Sequence, residues 1–181
     1  MLAPRRAQSA RSLVAEPDQP RVTRIETSRT VKFPPVVVFE EVSDFEAYPA
    51  HTPHLESVSR AGDGDVGTEY ELRVAALGLS ADVRTRLTAV DPPREISWTL
   101  LGDLTATGSI EITAIENRAG SRIDVWIDYD PESLDSNAIS LPFGLSVEWV
   151  RSKAEALAKR EMERVLDGLL ADLEASGDGS R

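Results

Sequence analysis

The residues best suited by type and spacing to do chemistry are two histidines. His51 and His54 lie three apart in Tyr48-Pro49-Ala50-His51-Thr52-Pro53-His54 and are the chain's only histidines. An imidazole changes charge near working pH, so either could act as general acid or base toward an enolising ligand. A pair of solvated loop histidines is the competing reading, and the one favoured from the spacing. Zinc is disfavoured: proline interrupts the spacing, no nearby carboxylate offers a third ligand, and the chain has no cysteine. Acidic pairs such as Asp124 with Asp128, or Asp82 with Asp103, lack the spacing of an acid-base couple. Nucleophile elbows, dinucleotide-binding turns and histidine-glutamate metal helices are missing from the sequence. Neither a metal nor a cofactor is expected.

Arg29 is the third candidate. Strict alternation points it inward with Thr27 and Val31, where a guanidinium could hold a ligand's carboxylate, phosphate or carbonyl. A β-bulge turning it outward is the favoured alternative. Trp126 is the reverse case, a large aromatic on the nominally wet face with Asp124 and Asp128, suited to a contact surface or to partial cover. Trp149 with Phe143 and Leu145 could close a cavity mouth, with ordinary packing as the plainer reading. Gly168 interrupts a helical pattern at a cost of about 1 kcal/mol relative to alanine, which points to close approach of a strand or ligand, or to a tolerated surface glycine.

These residues need a frame, and the pattern supplies one. From Val147 to Ser176, apolar residues at Val147, Val150, Ala154, Leu157, Ala158, Met162, Val165, Leu166, Leu169 and Leu173 fall on one helical stripe. Glu155, Lys159, Glu163 and Asp167 follow at four-residue spacing on the charged side. Ser146 offers an N-cap and Gly177 a stop. Such a helix is about 45 Å long at ~1.5 Å per residue, so its stripe needs an extended cover.

The preceding residues read as strands. Arg21 to Phe33 alternates and ends at Pro34-Pro35, which opens a short helix from Val36 to Ser43. Asp44 is placed to cap a second helical turn, Phe45 to Tyr48, cut off by Pro49. Leu55 to Arg60, Val66 to Ala76, Ala81 to Val90 and three further alternating runs through Ile96, Ile110 and Ile123 are separated by Gly, Asp, Asn and Pro turns. Turns without intervening helices predict an antiparallel meander, with one face buried under the long helix.

At 181 residues and 41% apolar, the chain fits one domain, residues 21–176, between tails at 1–20 and 177–181. Arg5-Arg6 lacks the apolar run an export signal requires, so a cytoplasmic location is the default expectation. No apolar run is long enough to span a membrane. A net charge of −11 argues against nucleic-acid and anionic membrane partners. Lys32, Lys153 and Lys159 are the only lysines. An acidic, lysine-poor surface suits a halophile somewhat better than an ordinary acidic protein from an arginine-favouring genome.

The segment Val36-Val37-Val38-Phe39-Glu40-Glu41-Val42-Ser43-Asp44-Phe45-Glu46-Ala47-Tyr48-Pro49 resembles the START-like, or SRPBCC, superfamily in its polyketide cyclase/dehydrase and coenzyme-Q-binding branch. The likeness extends through Pro53, Ser57-Val58, Gly67-Thr68, the Asp91-Pro92-Pro93-Arg94 turn, the strand with Trp98 and the C-terminal helix. His51 departs from the family, which commonly has a large aromatic there. The resemblance implies an α+β helix-grip fold: a curved seven-stranded antiparallel sheet around a long C-terminal helix, with two short helices after the first strand. It also implies an apolar cavity for a lipid, isoprenoid or polyketide-like molecule.

By alternation, the lining would be Tyr70, Leu72, Val83, Thr85 and Leu87, then Trp98, Leu100, Ile110 and Ile112, then Val125, Ile127 and Tyr129, with Met162, Val165 and Leu169 from the helix. The competing reading is that they fill a core. The leading functional expectation is binding or transport of a small hydrophobic ligand by a non-enzymatic or weakly catalytic carrier. The alternatives are a cyclase/dehydratase using His51, His54 or Arg29, and an adaptor or respiratory-chain assembly helper acting through Trp126 or Trp149. No protein partner can be named.

Overall fold

The computed structural model describes residues 22–76, 79–116, 120–133 and 147–178. Seven strands form one sheet: β1 (Thr23–Val31), β2 (Leu55–Ala61), β3 (Glu69–Ala76), β4 (Leu79–Asp91), β5 (Glu95–Leu101), β6 (Ala106–Ala114) and β7 (Ser121–Tyr129). The order across it is β1-β7-β6-β5-β4-β3-β2, and each neighbouring pair is antiparallel. Helix α1 (Pro35–Ser43) and a 3-10 segment (Phe45–His51) lie between β1 and β2, and α2 (Val147–Asp178) follows the sheet. This is the helix-grip arrangement that the alternation, turns and family resemblance predict.

The period of two sorts each strand into a wet face and a buried one. On the outer face arginines meet carboxylates directly across the ladder: Arg24 with Asp128 at 2.6 Å, Arg73 with Asp82 at 2.8 Å and Arg86 with Glu69 at 2.5 Å. Such exposed rungs fix register more than they add stability. On the inner face the register aligns Ile25 with Ile127, Val125 with Ile110, Ile110 with Ile96, and Leu87 with Trp98.

The inner face carries two packed clusters. One joins Val31, Val38, Val42, Ile110, Ile112, Ile123 and Val125 to Leu166, Leu169, Leu170 and Leu173 of α2. Those leucines recur at helical spacing, and α2 lies against β1, the 3-10 segment and α1. The other cluster is Tyr70, Leu87 and Ile96. Phe39, Phe45 and Trp98 pack against both clusters and so link them.

Four local features differ from the sequence reading. The β1–β7 register runs unbroken from Thr23 to Val31, so there is no bulge to turn Arg29 outward; bulges lie instead at Leu55/Ser57 and Leu87/Ala89. Asp44 makes no side-chain cap, and the turn after it continues as a 3-10 helix through Pro49 to His51. Tight i→i+3 bonding in a short piece tolerates the proline. Strand β1 stops at Val31, and Ser121 Oγ donates to the Phe33 carbonyl at 2.7 Å just beyond it. Finally, α2 runs through Gly177, where an added Cβ would lie 3.2 Å from the Phe33 ring. Close ring approach thus occupies the position read as a stop.

Candidate functional site

The inner face has two halves along the strand direction. At the α1 end, the predicted lining residues Ile110, Ile112, Val125 and Leu169 are buried in the first cluster, with Met162 and Val165 half-buried against it. Tyr70 and Leu87 are buried in the second cluster, and Leu72 packs on it. Trp98 lies flat over β6: a Cβ on Gly108 would collide with its indole. Phe45 stands edge-on to Trp98, Tyr70 and Tyr48, with ring centroids 6.2, 5.0 and 5.2 Å away. The sequence reading assigned Phe45 no role, although it is the wedge joining the two clusters.

At the opposite end, Val83, Leu100, Ile127 and Tyr129 are half-buried and belong to neither cluster. The register keeps them on the inner face with Thr85, which pairs with Tyr70 on one side and Leu100 on the other. Tyr129 donates its hydroxyl hydrogen to Glu155 of α2 at 3.1 Å. Phe143 and Leu145 lie outside the described residues, as does the side chain of Trp149.

The three polar candidates do not converge on this half. His51 is neither solvated nor aimed at the apolar surface. Its side chain is only 11% exposed, with Nε2 3.5 Å from Asp172 Oδ2. Its ring fills the notch at Gly168, where an added Cβ would collide with Nδ1. The helix glycine therefore marks neither a strand nor a ligand but a histidine from the 3-10 segment. His54 Nδ1 is 2.9 Å from the Ala75 carbonyl oxygen and must donate to it, which leaves Nε2 facing Glu161 Oε1, 3.9 Å away.

Glu161 also accepts from the Thr52 hydroxyl and, at 3.0 Å, from Arg164. Burial pushes the Glu161 carboxyl up, but the Thr52 bond and then the charges of Arg164 and His54 outweigh it and hold the group below its ordinary value. Tyr48 next to this region is pushed well above a normal phenol, first by burial and then by Asp44, and donates to the Val42 carbonyl at 2.7 Å.

Arg29 faces inward as alternation predicts, but Asp167 on α2 takes its Nε and Nη2 at 2.6 and 3.1 Å. Its Nη1 donates to Thr27 Oγ1 at 2.9 Å and to the Ser28 carbonyl. Two open clefts of about 450 and 600 Å³ run along the seam between β1 and α2, both lined in part by Glu26 and Lys159. Their mixed charge differs from the apolar floor at Val83, Leu100 and Ile127. Trp126 lies on the outer face under the Arg24 guanidinium, 5.4 Å from the ring centroid. Among the described residues no group of three His, Cys, Asp or Glu could hold a metal ion, and no helix is long and apolar enough to cross a membrane.

Comparison with known proteins agrees with this architecture. A family profile described as "Polyketide cyclase / dehydrase and lipid transport" matches residues 22–174. No curated protein matches in sequence. Among solved structures, the Zhui aromatase/cyclase from Streptomyces sp. R1128 superposes with a TM-score of 0.70 at 20% identity, covering 84% of this chain and 94% of that one. TTHA0849 from Thermus thermophilus gives 0.66 at 16%, covering 85% and 99%. The di-domain ARO/CYC StfQ of the steffimycin biosynthetic pathway gives 0.67 at 15%, covering 87% of this chain and 52% of StfQ. At these identities the structural likeness is one of fold.

Proposed function

The chain belongs to the polyketide cyclase/dehydrase and lipid transport family, and from that membership we propose that it binds one small hydrophobic molecule, lipid-, isoprenoid- or polyketide-like, against the open half of the sheet beneath α2. The observation that carries this reading is the incomplete burial of Val83, Leu100 and Ile127, apolar side chains on the inner face that join neither core cluster. Removing such surface from water stabilises by about 25 cal/mol per Å², which a hydrophobic ligand can supply at no cost in unsatisfied polar groups. The polar candidates are engaged elsewhere: His51 with Asp172, His54 with Ala75 and Glu161, and Arg29 with Asp167. That distribution favours carriage over catalysis.

Native mass spectrometry of the protein gently extracted from its own cells tests the proposal. We expect a hydrophobic adduct that is lost in Val83→Arg, because a buried guanidinium would lack a partner. Protein free of any adduct, with identical spectra for the variant, would sink it. A cyclase or dehydratase is the second reading, favoured by the fold shared with two proteins named as aromatase/cyclases. It requires His51→Ala or His54→Ala to abolish turnover of a polyketide-like substrate while leaving its binding intact. An adaptor role through Trp126 would instead appear as partner capture lost in Trp126→Ala.

A further inference from the structure

Six polar residues of the described chain are buried: Thr27, Thr52, Thr68, Thr85, Ser109 and Ser121. Five have hydrogen-bond partners. Thr27 accepts from Arg29, Thr52 donates to Glu161, Thr68 accepts from the Gly64 amide, Ser109 bonds Ser97 and the Ile96 carbonyl, and Ser121 donates to the Phe33 carbonyl. Thr85, only 9% exposed, is the exception: its hydroxyl has no hydrogen-bond partner among the described residues. A buried hydroxyl without a partner costs free energy that valine, of nearly the same shape and equally suited to a strand, would avoid.

The position of Thr85 suggests what completes it. Its inner-face neighbours across the ladder are Tyr70 and Leu100, and Val83 and Leu87 flank it along β4. Burial raises the pKa of the Tyr70 hydroxyl against the opposing charge of Arg60, and that hydroxyl makes no hydrogen bond to Thr85. An enclosed water makes about three hydrogen bonds, and this patch offers only the hydroxyls of Thr85 and Tyr70 among apolar groups. An oxygen borne on an apolar body meets both requirements, since its body covers Val83 and Leu100 while its oxygen pairs with the hydroxyl.

Building on the binding function proposed above, we propose that Thr85 is the polar anchor of the site and that the ligand is an apolar ring or chain carrying a keto or hydroxyl oxygen. A threonine hydroxyl rotates to donate to a ketone or to accept from an alcohol or phenol.

The test is a fluorescence titration of the whole protein with 1-naphthol and, separately, with naphthalene. Thr85→Val should weaken 1-naphthol binding roughly fivefold, the worth of one neutral hydrogen bond, and leave naphthalene unchanged. Thr85→Ser, which keeps the hydroxyl, should retain wild-type preference for 1-naphthol, and melting temperatures of both variants report whether the fold is intact. Unchanged 1-naphthol affinity in Thr85→Val, or an equal loss for both probes, overturns the anchor while leaving hydrophobic binding in place. If neither probe binds the wild-type protein, the binding function and the anchor fall together.

Discussion

The two halves of the inner face are made from the same alternation of β-branched and aromatic residues, yet one is sealed and the other is not. At the α1 end, Ile112 and Ile123 meet Val38, Val42 and the leucines of α2 from above, and Ile123 and Leu169 are 0% and 1% exposed. At the other end, Val83, Leu100 and Ile127 face the same way from the same sheet and stay half-buried. The difference lies in the covering layer rather than in the strands. Most inner-face positions that become core lie where α1, the 3-10 segment with Phe45 or the C-terminal half of α2 supplies the opposing side chains.

Mutations can break or sharpen that contrast. Leu169→Ala should cost about 2–5 kcal/mol, because its neighbours are held by two other elements and cannot collapse into the space. A midpoint in urea unchanged from wild type would mean the sealed half is not the stabilising one. Gly168→Ala comes next, at about 1–3 kcal/mol, since the new Cβ displaces the His51 ring. In a His51→Ala background the same change should become neutral or stabilising by up to about 1 kcal/mol, because alanine is the better helix former. Thermal melts of the four-member cycle read that reversal directly.

Leu100→Ala in the open half should cost less than about 1 kcal/mol without ligand, since less buried surface is lost there. A cost equal to that of Leu169→Ala would erase the distinction between the halves.

Asp128 gives the smallest effect, on the outer face away from both. The Arg24 hydrogen bond holds its carboxyl below the ordinary value, opposed by burial and aided by the Arg24 charge. A depressed folded-state value means that the contribution is present above the unfolded value of about 3.9 and is lost as pH falls through the folded one. Asp128→Asn should therefore differ from wild type at pH 6 and converge on it in acid, as chemical denaturation at several pH values would reveal. A difference that grows in acid would reverse the sign.

The frame was legible in the sequence because it rests on local periods. Ile25 to Val31, Val83 to Leu87 and Leu166 to Leu173 declare their faces by spacing alone, and the turns between strands carry their own glycines and prolines. The polar pairings were not legible, because their partners are remote. Arg29 is anomalous in β1 by alternation alone, because its partner Asp167 lies 138 residues further along the chain. Gly168 announced a close approach without naming His51. Glu161 is one acidic residue among many on α2, and nothing local distinguishes it from Glu163. Thr85 was predicted as inner-facing from alternation, but its lack of a partner among the described residues is visible only when every neighbour is placed.

The pairing of β1 with β7 also bears on how the chain is made. Arg24 and Asp128 are 104 positions apart, whereas the strands from β2 to β7 each pair with the next along the chain. During synthesis those hairpins can close as they emerge, while the first strand must wait, its edge uncovered, until the seventh has left the ribosome. Nascent chains arrested short of Tyr129 should therefore expose β1 to chaperones and proteases, and extension past that point should bring protection.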